Sequence, residues 1–134
     1  MIIKQLSVFV ENKQGKLVDV LELLGKTNID LRALSIADTA DFGILRIIVD
    51  KSEEASTVLQ KEGYIVRVTD VLGLSVPDTP GSLAKILRAL SDKGINVEYT
   101  YAFVSHNKGE AYVVLRVENN EEAKRILAEQ GIRP

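Results

Sequence analysis

The sequence lacks cysteine and tryptophan, and it has only one histidine and three prolines among its 134 residues. Without cysteine, the chain has no disulfide framework, no thiolate metal site and no cysteine nucleophile. No apolar run approaches the roughly 20 residues that a membrane-spanning helix needs. The start, "MIIKQLSVFV", lacks the basic and long apolar regions of a secretory signal peptide. These absences predict a cytoplasmic protein with no metal site and no membrane contact.

Charge of neither sign predominates. The chain has 17 Lys and Arg against 19 Asp and Glu, a net charge of −2. A mildly acidic protein is not expected to take nucleic acid or an anionic membrane as its main partner. Hydrophobic residues make up 46% of the chain, which is sufficient for a packed core. The length predicts one ordinary domain or two small ones.

One pattern of residues occurs twice. When Gly15 is aligned with Gly81, an offset of 66 residues, the apolar positions on either side coincide. Further along the chain the offset becomes 68, and Leu59 then aligns with Leu127. A period of this length is too long for a solenoid repeat, so it indicates a duplicated small domain. We predict two domains, at residues 1–70 and 71–134.

Each copy combines strand and helix periods in the same order. "QLSVFV" alternates as a half-buried strand does, and apolar residues then recur at i, i+3, i+4 and i+7, as in an amphipathic helix. Two strands joined by a polar hairpin follow, then a second helix and, in the first copy, the strand "YIVRVTD". The fold class is therefore α+β, with two ferredoxin-like βαββαβ units and antiparallel sheets. The second copy ends in "GIRP", so its last strand is short or missing.

The sheet face away from the helices is unusually apolar. "ILRIIV" and "AYVVL" are apolar on both alternations, and Val97, Tyr99, Tyr101 and Phe103 are expected to share one face. A strand exposed on one face should alternate with polar residues. We therefore expect this face to be buried against the sister domain or a second chain, and we expect a homodimer.

A glycine turn precedes the first helix of each copy, in "NKQGKL" and "DTPGSL". Pro80 suits the first turn of a helix, and Asp78 or Thr79 can cap its free N–H groups. Gly81 lets the backbone approach a ligand closely or adopt a conformation closed to other residues. A carboxylate on the free N–H groups, beside an acceptor such as Asp78 or Asn12, would complement the two ends of an amino acid. The alternative is that both turns are only well-capped helix starts.

The pattern D-x-P-G-x-L, leading into a helix that ends in "KGINVEYTY", resembles the ACT domain, a small ligand-binding module of amino-acid metabolism. The resemblance covers essentially the whole chain as two copies, and the chain is similar to stand-alone tandem ACT proteins without an attached enzyme. It implies reversible binding of a free amino acid or similar metabolite at interfaces between ACT units, with a regulatory outcome. It implies neither catalysis nor a cofactor.

The resemblance also implies the ligand contacts. The family uses the polar residue three before the motif glycine, the backbone around that glycine, and a polar residue fifteen positions later from the neighbouring unit. In this sequence these positions are Asn12, Gln14, Gly15, Lys16, Asp30, Asp78, Pro80, Gly81, Ser82 and Asn96. The first copy has Gln14 where the motif has proline, so the two sites are expected to differ in strength.

Three other functions are open. An interaction module that regulates an enzyme of amino-acid metabolism without a ligand of its own would show no saturable response to any amino acid. A small enzyme would need a clustered acid, base or nucleophile, but the one histidine, His106, is expected in an exposed polar hairpin. An RNA-binding pair would need stacking aromatics on its central strands, which "GILRIIV" lacks.

Overall fold

The structure is a computed structural model that describes residues 1–38, 41–104 and 108–132. His106 lies outside these residues. Within them, no helix is long and apolar enough to cross a membrane. The chain divides into two compact units, which we call the first unit (Lys4–Thr69) and the second unit (Met1–Ile3 with Asp70–Pro134). The division predicted from the sequence assigns Met1–Ile3 to the first domain instead.

The first unit has the predicted β-α-β-β-α-β order. Its elements are β1 (Ile2–Glu11), α1 (Lys16–Lys26), β2 (Leu31–Asp38), β3 (Phe42–Val49), α2 (Ser52–Lys61) and β4 (Val66–Pro77). The strands lie in the order β2-β3-β1-β4, and β3 pairs antiparallel with both β1 and β2. The first part of β1 and the last part of β4 belong to the second unit.

The second unit repeats this order from β4 onward. Its further elements are α3 (Ser82–Ser91), β5 (Val97–Ala102), β6 (Glu110–Val117) and α4 (Asn120–Glu129). The strands lie in the order β4-β6-β5, and β6 pairs antiparallel with both neighbours. The α+β class and the ferredoxin-like units are confirmed.

Each unit has its own hydrophobic core, and the two cores correspond at nearly every position. Buried side chains from the first and third strands of the unit and from its two helices build the first core, and nearly the same positions build the second. Val8, Leu24 and Ile47, for example, correspond to Leu74, Leu90 and Leu115, and all six are at most 2% exposed. Because the buried positions repeat with the offsets read from the sequence, the duplication is confirmed at the level of packing.

In the second unit, the beginning of the chain holds the position that the last strand holds in the first unit. In the first unit β4 lies beside β1, and in the second unit Met1–Ile3 lies beside the later part of β4. The Gly73 N–H donates to the Met1 carbonyl at 2.8 Å, and the Met1 amino group donates to the Gly73 carbonyl at 3.2 Å. Ile2 packs against the second core. These three residues therefore cover the edge of β4 around Gly73.

One expectation about β5 is wrong. Val97 pairs with Val117, a core position, whereas the next paired residue, Tyr99, lies opposite Arg116. This register shift is a β-bulge, and a bulge changes which side of the sheet the following residues occupy. Val97 therefore packs on the core side, while Tyr99 and Tyr101, with ring centroids 6.4 Å apart, lie on the opposite face. The same shift occurs between Leu31 and Ala33 in β2.

Candidate functional site

The glycine turn of the second unit is a type II β-turn formed by residues 79–82. The Ser82 N–H donates to the Thr79 carbonyl at 3.2 Å, and Gly81 has φ of 87° and ψ of −7°. Such a turn needs a positive φ at its third position and favours proline at its second, which accounts for Pro80 followed by Gly81. Pro80 therefore belongs to the turn, and the expectation that it opens the helix is wrong, since α3 begins at Ser82.

The first unit forms the same turn at residues 13–16. The Lys16 N–H donates to the Lys13 carbonyl at 3.2 Å, and Gly15 has φ of 86° and ψ of −13°. Gln14 takes the place of the proline, which this turn type tolerates because any residue with an ordinary negative φ fits there. In both copies the backbone N–H of the residue three before the glycine donates to a carbonyl at the end of the hairpin. Asn12 donates to Asp41 and Asp78 donates to Gly109, each at 3.0 Å.

Side-chain capping by Asp78 or Thr79 is not observed. The residue that precedes each helix is the turn glycine, so neither α1 nor α3 has a side-chain cap. The Thr79 hydroxyl instead lies 2.7 Å from the Ser82 hydroxyl. The Ser82 N–H is already used by the turn, so a ligand carboxylate cannot take it without opening that turn. The next N–H groups of α3 have no acceptor within the helix.

The turn geometry gives a direct stability prediction. Gly81→Ala and Gly15→Ala should each lower the free energy of unfolding by about 1–2 kcal/mol, because the left-handed conformation brings a Cβ too close to the backbone. No other atom lies within 4 Å of a Cβ at either position, so the loss measures the backbone conformation alone.

Urea unfolding of both variants is the measurement. The control is Gly25→Ala inside α1, which also has no neighbour within 4 Å of the added Cβ and has no positive φ. This control should gain about 0.5–1 kcal/mol, as alanine does over glycine within a helix. Equal stabilities of Gly81→Ala and the unchanged protein would contradict the turn assignment.

A cavity of about 770 Å³ lies beside the turn of the second unit. Its lining combines turn residues, the first turn of α3, the hairpin end of β6 and the residues after α4. The lining residues are Ser75, Pro77, Thr79, Ser82, Lys85, Ile86, Gly109, Glu110, Tyr112, Gln130, Gly131 and Ile132. Its size is that of an ordinary small-molecule pocket. Of the site residues that the sequence predicted, only Ser82 lines it; Asp78, Pro80 and Gly81 lie alongside.

Asn96 and Asp30 lie at the other end of their units from the turns. Each follows the C-terminal end of a helix whose N-terminal end begins at the turn, and that helix is about 15 Å long. Asn96 lines a separate, polar cavity of about 1060 Å³. The Asp30 carboxylate accepts from Arg32 at 3.1 Å on the surface. Neither unit brings these residues to its own turn, and their contribution to a neighbouring unit's site stays a prediction.

The turn of the first unit has different electrostatics. Lys13, in that turn, lies 3.1 Å from the Glu11 carboxylate. The hydrogen bond from Lys13, together with the nearby charges of Lys13 and Lys16, holds the pKa of the Glu11 carboxyl below its usual value. Because both side chains are exposed, this contact contributes little to stability. Lys13 and Lys16 make the first turn more positive than the second turn. In the second turn, Asp78 is the one charged residue between Pro77 and Lys85.

The sequence analysis missed two charged residues of the cavity, Lys85 and Glu110. A signal was present, because Lys85 lies one helical turn after the motif glycine, where the first copy has Asp19. Glu110 was not identifiable from its neighbours in sequence, since it reaches the cavity through the pairing of β6 with β4. The described residues contain no group of three or more His, Cys, Asp or Glu that could hold a metal ion.

Comparison with known proteins gives a consistent assignment. Residues 1–133 match the family model described as ACT domain pair. The crystal structure of protein BT0572 from Bacteroides thetaiotaomicron has a TM-score of 0.91 and 45% identity, covering 98% of this chain and 90% of that one. The ligand-free regulatory subunit of aspartate kinase from Thermus thermophilus has a TM-score of 0.69 and 18% identity, covering 94% and 90%.

The regulatory subunit of aspartate kinase from Thermus flavus gives a TM-score of 0.65, also at 18% identity and with coverage of 94% and 90%. At this identity the two Thermus subunits show a shared fold only. No curated protein matches the sequence. The match of the family model over nearly the whole chain, together with the similarity to BT0572, shows that the chain belongs to the ACT domain pair family.

Proposed function

We propose that the chain is a non-catalytic regulatory protein that binds a free amino acid or a similar small metabolite beside its glycine turns. The observation that carries this proposal is the cavity of about 770 Å³ next to the turn of the second unit, into which Thr79 and Ser82 contribute a hydroxyl pair. Membership of the ACT domain pair family supports it. Similarity in fold to regulatory subunits of aspartate kinase is consistent with a regulatory role, with an enzyme of amino-acid metabolism as the partner.

The remaining contacts that the family implies are part of the proposal. In the second unit these are Asp78, Pro80 and Gly81 beside the cavity. In the first unit they are Asn12, Gln14, Gly15 and Lys16, and Asp30 and Asn96 would come from neighbouring units. Closure of two units around one ligand would favour the arrangement that binds it, and that shift in population is the regulatory signal.

A second function, contact with a protein partner, is favoured by an exposed apolar surface on the first unit. Phe9 is 36% exposed and Phe42 is 54% exposed. Phe9 pairs with Ile44 across β1 and β3, and the neighbouring Val8 and Val10 point into the core. Since side chains alternate along a strand, Phe9 and Ile44 lie on the face away from the helices. We propose this surface as the contact of a homodimer or of a regulated enzyme.

A thermal-shift screen against the twenty amino acids at millimolar concentration tests the proposed function. A ligand that binds only the folded state stabilises it by ~2.7 kcal/mol at a hundredfold excess over its Kd. In a domain of this size we expect a rise in melting temperature of several degrees. A screen in which no amino acid raises the melting temperature would contradict ligand binding and favour the protein-contact function.

Variants locate the response within the second unit. Thr79→Val combined with Ser82→Ala removes the hydroxyl pair that lines the cavity and should reduce the shift. The control is Ser91→Ala, an exposed serine at the opposite end of the same helix, which should leave the shift unchanged. Asp78→Ala and Asn12→Ala test the contacts that the family implies.

A further inference from the structure

We propose that a second copy of this chain occupies the sheet face of the first unit that lies away from the helices, and that it does so with the corresponding face of its second unit. We call this side of each sheet the outer face. In this arrangement aromatic side chains of β5 in one copy lie over small side chains of β2 in the other. The inference rests on the contact surface proposed above for the first unit and names its occupant.

Aromatic side chains of β5 form a ridge on the outer face of the second unit. Tyr99 and Tyr101 pair with residues of β6 that are not part of the second core, and the Phe103 N–H continues the register by donating to the Tyr112 carbonyl at 2.9 Å. The rings of Tyr99 and Tyr101 are stacked with centroids 6.4 Å apart, and those of Phe103 and Tyr112 are 6.1 Å apart. Tyr99, Tyr101 and Phe103 are only partly buried within the chain, so the ridge has surface left to bury.

Small side chains stand at the same three positions of β2 in the first unit. At the offset of 66 residues, Ala33, Ser35 and Ala37 correspond to Tyr99, Tyr101 and Phe103. The strand register agrees, since Ser35 lies opposite Arg46 as Tyr101 lies opposite Val114. Ala33 is fully buried, whereas Ser35 is partly buried and Ala37 is exposed. The outer face of β2 is therefore low and accessible at Ser35 and Ala37.

The first strand of each unit shows the reverse difference in size. Phe9 and Ser7 of β1 correspond to Ser75 and Gly73 of β4. Phe9 is 36% exposed, and Ile65, whose carbonyl accepts from the Phe9 N–H, is 67% exposed. The first unit is therefore high at β1 and low at β2, whereas the second unit is low at β4 and high at β5. Two faces of opposite relief complement each other better than either complements a copy of itself.

The charges of the two outer faces are complementary as well. Arg46 and Arg67 lie on the outer face of the first unit, because each adjoins a core position along its strand. On the second unit Glu110 lies on the outer face, and Arg116 is paired with Glu98 at 3.6 Å. A basic face attracts a face with surplus acid and repels a copy of itself. Relief and charge therefore favour the second unit of another copy as the occupant.

Exchange of side-chain size across the contact is the test. The variants are Ser35→Tyr, Tyr101→Ser and the chain that carries both changes, and analytical ultracentrifugation gives the dissociation constant of the dimer. We expect each single change to raise this constant about tenfold or more, because one places a tyrosine against a tyrosine and the other removes an aromatic anchor from the contact. The double variant again places a tyrosine opposite a serine and should recover most of the affinity.

Thr100→Ala is the matched control. Thr100 is exposed and adjoins Tyr101, but it lies opposite Leu115 of the second core and so faces the other side of the sheet. This variant should dimerise as the unchanged protein does. Recovery in the double variant also requires both units to be folded, so it distinguishes loss of the contact from loss of the fold.

Two results would overturn the inference. One is a double variant that dimerises no better than the single variants, and the other is an unchanged protein that stays monomeric at every concentration tested. If Phe9→Ser weakens the dimer while Ser35→Tyr and Tyr101→Ser do not, the contact surface of the first unit stands and its occupant is not the second unit. The amino-acid screen is read separately, so a ligand-induced shift without recovery in the double variant rejects this inference alone.

Discussion

Leu115→Ala is expected to lower the free energy of unfolding by about 2–5 kcal/mol, and Ile47→Ala by a similar amount. Leu115 and Ile47 occupy the same position of β6 and β3, each of which pairs with a strand on both sides, and neither is exposed at all. Each pairs with a buried leucine, Leu72 or Leu6. Truncation leaves a cavity in a core that has no other side chain to fill it, and the loss includes both the buried methyl groups and that cavity.

Urea unfolding with linear extrapolation measures both losses. Val104→Ala is the control, since Val104 is 57% exposed and its truncation should change stability by no more than about 0.5 kcal/mol. If Leu115→Ala loses less than about 1 kcal/mol, as an exposed position would, the second core is not packed as described. If the loss is confined to one of the two variants, the two cores are not equivalent.

Ile2→Asp is expected to destabilise the second unit by about 2 kcal/mol, because Ile2 packs against the core of that unit although it stands at the beginning of the chain. A carboxylate at this position would lose the apolar contact and would be partly buried without a partner. The Gly73 N–H, which donates to the Met1 carbonyl, is the most direct reporter of the pairing.

Hydrogen exchange of the second unit is the measurement. In Ile2→Asp, the Gly73 amide and the second unit as a whole should exchange faster than in the unchanged protein. Ile65→Asp introduces the same chemical change at a residue that is 67% exposed and should leave these rates unchanged. Unchanged exchange at Gly73 in Ile2→Asp would mean that the beginning of the chain does not complete the second unit.

The elements and cores were predictable because each depends on residues close in sequence. The helix stripe that includes Val20 and Leu24, repeated by Ile86 and Leu90, has the period of a helix with one buried face. The glycine turn was recognisable for the same reason, although the role of Pro80 was not. Proline at the second position of a type II turn and proline in the first turn of a helix differ by one residue, and the composition of "DTPGSL" fits both.

The features that were not predicted depend on long-range pairing. The bulge after Val97 moves Tyr99 to the other face, and neither residue type signals it, because both are apolar and favour strands. The completion of the second unit by Met1–Ile3 joins residues about 70 positions apart in the chain. Glu110 reaches the cavity only through its pairing with Pro77. A period in the sequence reports the face of one element, and it carries no information about which elements meet.

The most direct test of the account is a calorimetric titration of the protein with its ligand. Titration of the unchanged protein with the amino acid found in the screen should give a saturable heat, because a cavity of small-molecule size lies beside the turn of the second unit. No saturable heat with any of the twenty amino acids would contradict ligand binding itself.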